Sequence, residues 1–135
     1  MLVLTPDVNK FFEEWSKPQT PNIVVTSTTK RNVPITAIVL FTGAKVINGN
    51  CEVRVDFIVL KPDGTEYGSQ KNVPAWVNKP GPPKGIIQVS QGVLGIVIEP
   101  NDPPGTYRVK TIVYDIFGKL VLELEQPFTV IEAAA

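Results

Sequence analysis

A chain of 135 residues, 43% hydrophobic and 19% charged, is long enough to bury a core and too apolar to stay disordered, so one globular domain is expected. Its 13 basic and 13 acidic residues cancel, which removes the cationic excess that nucleic-acid binding and adhesion to anionic membranes need. The absence of histidine and the presence of one cysteine remove Ser-His-Asp and Cys-His nucleophiles, the usual general base, the commonest zinc ligand and any intramolecular disulfide.

The opening Met1-Leu2-Val3-Leu4 lacks the basic start and long apolar stretch of a signal peptide. Two readings of location follow: a mature domain, periplasmic or secreted, whose leader an initiating Met has replaced, or a cytoplasmic protein. The first is preferred. Residues 1–21 are read as an N-terminal extension with a short α-helix over about residues 6–16. Thr5 is placed to cap it, Pro6 suits the first helical position and Asp7 suits the positive end of the dipole. Val8, Phe11, Phe12 and Trp15 form one apolar stripe at helical spacing, short and without basic flanks, so burial against the domain is favoured over a membrane- or partner-touching role.

From residue 22 to 132 the texture is that of strands. Ile23–Thr29 is rich in β-branched residues and reads as the first, and Val33–Phe41 as a central one, apolar on both parities near its end. The apolar run that ends in Ile38–Phe41 is strand-sized, far short of the ~18–20 residues of a membrane span. Cys51–Leu60 alternates, with Val53, Val55, Phe57 and Val59 inward and Glu52, Arg54 and Asp56 outward; on that parity Cys51 is a buried, inert thiol. Lys61-Pro62-Asp63-Gly64 is a hairpin signal, with Gly64 at the left-handed position, and the chain returns through Thr65–Tyr67. Residues 68–93, with Pro74, Trp76, Pro80, Pro82 and Pro83, read as irregular, stiff and extended. Leu94–Ile98 is a later strand, and the stretch from Glu99 to Val130 supplies a turn, a strand, a corner and a closing strand. Ala133–Ala135 reads as an appended remnant. The result is an all-β antiparallel sandwich of about seven or eight strands with a short N-terminal helix.

Chemistry is sparse. Glu123 and Glu125 alternate with Leu122 and Leu124, and Glu13 adjoins Glu14; both pairs read as solvated faces. Glu99, Asn101 and Asp102 give weak support to a calcium site, which needs more oxygen ligands than two carboxylates supply. No Walker loop or Gly-x-Gly-x-x-Gly is present, so no enzyme, cofactor or metal is expected. Tyr107, following Asp102-Pro-Pro-Gly105, matches the corner tyrosine whose hydroxyl ties down the preceding turn; Tyr107, Asp102, Gly105 and Gly64 are thus read as structural. Trp76, Tyr67 and Tyr114 are candidates for an exposed aromatic platform, Trp76 first, and Pro82 and Pro83 for a stiff partner-binding loop.

Val53–Gly64, Asp102–Val109 and Leu120–Val130 together resemble the immunoglobulin-like sandwiches found as secreted or envelope domains in bacteria, and more narrowly small bacterial proteins built of one such domain behind a leader. There is no disulfide pair and no Trp in the Cys51–Leu60 strand, so the likeness is not to antibody domains. It implies an extracytoplasmic, non-catalytic role and transfers no site residues. The expectation is a binding or structural module for a protein partner. The alternatives are a glycan-binding module using Trp76 with Tyr67 or Tyr114, and an inhibitor or assembly factor presenting the loop 80–85.

Overall fold

The alternation read from Val53 to Leu60 is an alternation of burial: every odd residue is buried and every even one half-buried, as a strand with one face on a core requires. The computed structural model describes residues 1–17, 23–77, 80–81 and 86–132. In chain order its elements are β1 (Leu2–Thr5), α1 (Val8–Trp15), β2 (Thr28–Lys30), β3 (Ile35–Phe41), β4 (Val53–Leu60), β5 (Glu66–Trp76), β6 (Gln88–Val89), β7 (Leu94–Ile96), β8 (Thr106–Asp115) and β9 (Leu120–Ile131).

They form two sheets. In the larger, in the order β2-β9-β8-β4-β5, all pairings are antiparallel except β2, which runs parallel to the end of β9 with Thr28–Lys30 opposite Thr129–Ile131. In the smaller, β3 is the spine: β1 pairs with one edge, and β6 and β7 take successive parts of the other. Between the sheets lies the main core, including Leu4, Ile35, Val55, Phe57, Tyr107, Val109 and Phe128. Burying each such side chain contributes about 1.5–3 kcal/mol. A second cluster of Val3, Phe11, Ile38 and Leu40 packs α1 on the back of β3, which is why β3 is apolar on both parities.

Three local expectations are corrected. The helix starts two residues later than about residue 6, and its cap is Asp7, whose carboxylate accepts the Lys10 N–H at 3.1 Å. Thr5 does not take that role: it ends β1, paired with Thr36, and its hydroxyl accepts the Asp7 N–H at 3.4 Å, ahead of the helix, so residues 2–5 pair within the sandwich. The first strand of the 22–132 stretch is confined to Thr28–Lys30: the Thr26 N–H donates to the Leu4 carbonyl at 2.8 Å, drawing the chain across to β1 and leaving Val24 and Val25 exposed. The irregular stretch after residue 67 begins as β5, which runs through Pro74 to Trp76. Proline is tolerated because β5 is an edge strand, and three register shifts against β4 mark its irregularity.

Candidate functional site

The turns that set the corner of the sandwich are built as their residues require. Gly64, at φ +89°, closes the β4–β5 turn with its N–H on the Lys61 carbonyl at 2.9 Å. Gly105 has φ +122°, and a Cβ there would stand 3.2 Å from Pro62 Cγ. The buried Tyr107 hydroxyl donates to the Pro103 carbonyl at 2.6 Å, and its ring stacks on Phe128 with centroids 5.5 Å apart.

Tyr67 belongs to this corner. Its half-buried ring meets Tyr107 edge-on at 5.7 Å, and its hydroxyl donates to the Asp102 carboxylate at 2.5 Å. Burial, reinforced by that carboxylate, pushes the Tyr67 phenol far above its ordinary value. Asp102 is held below the usual carboxylate value, first by the Tyr67 hydroxyl and then by the Glu99 N–H at 2.7 Å. Arg31 closes the cluster: its guanidinium donates to the carbonyls of Glu99 and Asp102 at 2.7 and 2.8 Å and to Glu132 at 2.7 Å, which raises the Arg31 pKa and lowers that of Glu132. Among the described residues no group of three or more His, Cys, Asp or Glu side chains is arranged to hold a metal ion.

Trp76 lies at the other end of β5 from Tyr67, opposite Val53. Its indole N–H donates to the Pro80 carbonyl at 3.0 Å, and its ring stands edge-on to Phe41 with centroids 5.9 Å apart. Tyr114 sits on the outward face of β8, where its hydroxyl donates to Asp56 at 2.9 Å. The three aromatic side chains therefore do not converge. Pro82 and Pro83 lie outside the described residues.

What the structure brings together instead is aliphatic. Leu120, Leu122 and Leu124 of β9 face the side of the sheet that Thr111 and Val113 face, toward β3. Glu123 and Glu125 face outward, 3.9 Å from Lys110 and 3.1 Å from Arg108. Inward-facing leucines ought to be covered, yet Leu120 and Leu122 are each 63% exposed. The covering strand β3 ends at Phe41 while β9 continues, and the mouth left between them is a cleft of about 300 Å³ lined by Val39, Phe41, Ile87, Val113, Leu122 and Leu124, among others. The sequence contains the signal, an aliphatic run Leu120-Val121-Leu122 on both parities next to a turn, but it does not reveal where the opposite sheet stops.

The same strand has an open edge. The Val130 N–H donates inward to Gly105 and the Thr129 N–H outward to Ser27, so by the two-residue period even-numbered residues of β9 bond to β8 and odd-numbered ones point away. The β2 ladder covers only Thr129–Ile131. Among the described residues, no backbone hydrogen bond reaches the outward groups of Val121, Glu123 and Glu125.

Fold and cleft define an immunoglobulin-like β-sandwich with an uncovered aliphatic mouth at one edge. No family model matches the chain, and a comparison with curated proteins finds no match. A solved structure to which it is similar is a Niemann-Pick type C2 protein from the Japanese carpenter ant, 12% identical, with 77% of this chain and 79% of that one covered at a TM-score of 0.41. Among the described residues no helix is long and apolar enough to cross a membrane.

Proposed function

We propose that the protein is a non-catalytic binding module that engages a polypeptide partner through the aliphatic mouth and open edge of β9. The observation that carries this reading is the exposure of Leu120 and Leu122, 63% each, on the face of a strand that should be covered. Contiguous exposed aliphatic surface marks an interaction site, and an unpaired strand edge beside it is completed by another chain. The cleft itself is at the small end of ligand sites, which run from about 300 Å³ and bury most of their ligand. Leucines this exposed rim a surface rather than enclose a molecule, which favours a protein partner over a small apolar ligand. A glycan platform needs aromatic faces that stand together, and Tyr67, Trp76 and Tyr114 are spread over two strands with their polar atoms engaged.

A partner recovered from the source cells and purified should bind wild type at least tenfold more tightly than Leu122→Asp, while Lys10→Asp on α1 changes nothing. Equal affinity for wild type and Leu122→Asp would overturn the reading. Location outside the cytoplasm, periplasmic or secreted, rests on the bacterial envelope-domain resemblance alone. Fractionation of cells making the protein from its own gene tests it, with recovery beside cytoplasmic markers as the contrary result.

A further inference from the structure

Resting on that reading, we infer that the partner this edge fits is a second copy of the same chain, joined β9 to β9 about a two-fold axis. Such pairing requires outward-pointing residues to face outward-pointing residues, which leaves few registers. With Leu122 opposite Leu122 of the second copy, Leu120 falls opposite Leu124, Leu124 opposite Leu120, and Val121 opposite Glu123. All three leucines of each copy then meet leucine, and no glutamate directly faces another.

The neighbouring registers are worse. Sliding the strands two residues one way sets Glu123 against Glu123 and Leu120 against Gln126; sliding them the other way sets Leu124 against Gly118. Like charges directly opposite destabilise a pair, while apolar cross-strand pairs each contribute about 0.2–1 kcal/mol. In the favoured register Glu123 keeps Lys110 of its own chain and Glu125 keeps Arg108. Zero net charge leaves no long-range repulsion between copies.

The open stretch is also bounded so that two copies fit. β9 begins at Leu120, directly after the turn from Asp115. Pairing therefore ends where that turn of one copy meets Glu125 of the other, short of β2 at Ser27 and Thr129. Pro127 offers no N–H beyond that point. The opposite edge of the sheet is less suited to the same use: β5 is bulged against β4, and at its end the N–H groups of Gln91 and Gly92 bond to the Ala75 and Pro74 carbonyls. Two-fold dimers are the commonest closed assembly, and the contact here is self-complementary as that symmetry demands.

The register can be read with one cysteine. Leu122 is the residue on the axis, in a pair without backbone hydrogen bonds, where Cα atoms stand about 4.5 Å apart and a disulfide closes without strain. The native Cys51 is buried, so it does not compete. Under mild oxidation Leu122→Cys should convert to a covalent dimer at least tenfold faster than Glu123→Cys, whose thiols lie off the axis. Glu123→Pro, which removes an outward N–H but none of the β8 ladder, should sediment as a monomer at concentrations where Glu123→Gln and wild type associate, with an unchanged circular dichroism spectrum. Cross-linking of Leu122→Cys no faster than Glu123→Cys, or a wild-type mass that stays monomeric up to about 1 mM, would overturn the dimer. If the wild type is monomeric but Leu122→Asp still loses a purified partner, the dimer fails and the binding reading stands. Loss of neither dimer nor partner on Leu122→Asp defeats both.

Discussion

At the scale of single residues, the corner of the sandwich depends on hydrogen bonds between segments far apart in the chain, and Tyr67 with Asp102 is the clearest case. The Tyr67 hydroxyl is held between a buried ring system and a carboxylate, and a hydrogen bond to a charged group contributes more than a neutral one. Tyr67→Phe should therefore lower stability by about 1–2 kcal/mol in urea denaturation, and less in an Asp102→Ala background than in the wild type, because the pair is coupled. The pH dependence follows from the directions of the shifts. Asp102 is depressed in the folded state, so its contribution is complete above the ordinary carboxylate pKa of about 3.9 and is lost as pH falls through the folded value. Tyr67 is raised, so its contribution is present below the ordinary phenol value of about 10 and is lost as pH rises through the folded one. Tyr67→Phe should flatten both the acid and the alkaline limbs of a stability–pH curve; parallel curves for mutant and wild type would show that the pair contributes nothing. The Tyr107 part of this corner was legible, since Pro-Pro-Gly-Thr-Tyr places the ring and the turn within five residues. The partnership of Tyr67 with Asp102 was not, because nothing local relates a strand to a turn 35 residues away.

Elements were legible where pattern and punctuation agreed. β4 with the Pro62-Asp63-Gly64 turn, and β8 with β9, show the period of two between turn residues. β1 and most of β5 did not, for different reasons. Leu2–Thr5 is buried on both faces, which erases the alternation that identifies a strand, and β5 is bulged and contains Pro74, which breaks it. The turns can be ranked by experiment. Gly64 and Gly105 both have positive φ, but a Cβ on Gly64 meets nothing within 4 Å whereas one on Gly105 crowds Pro62. Gly64→Ala should cost about 1 kcal/mol for the left-handed backbone alone, and Gly105→Ala about 1–3 kcal/mol, since Pro62 sits in the β4–β5 turn and a shift there is passed to two strands. Equal costs in thermal denaturation would mean that Pro62 yields freely and that the two turns are not packed together. At the β9 edge, Glu125→Gln should change stability by less than about 0.5 kcal/mol, because the Arg108 pair is exposed.

For the whole molecule the decisive strand is β3, because two cores meet on it. Its odd residues Ile35, Ala37 and Val39 belong to the core between the sheets, and its even residues Ile38 and Leu40 to the cluster beneath α1. That sharing explains why burial of the helix could be read from its apolar stripe while the open mouth at β9 could not: a stripe reports what an element must cover, whereas exposure of Leu122 depends on where a different sheet ends. It also predicts how the protein unfolds. Phe11 is 2% exposed and stacks on Trp15 at 6.1 Å over the back of β3. Phe11→Ala should cost about 3–5 kcal/mol, whereas Leu122→Ser, removing a side chain that contributes little to either core, should cost less than about 0.5 kcal/mol when measured on the monomer. Because releasing α1 bares Ile38 and Leu40 on the strand that also supports the main core, the helix cannot come away as a separate unit. Circular dichroism at a helical wavelength and tryptophan fluorescence should report one coincident transition in wild type and in Phe11→Ala, shifted to lower denaturant in the mutant but undivided. Two separated transitions would show that α1 is an appendage to a sandwich that stands without it.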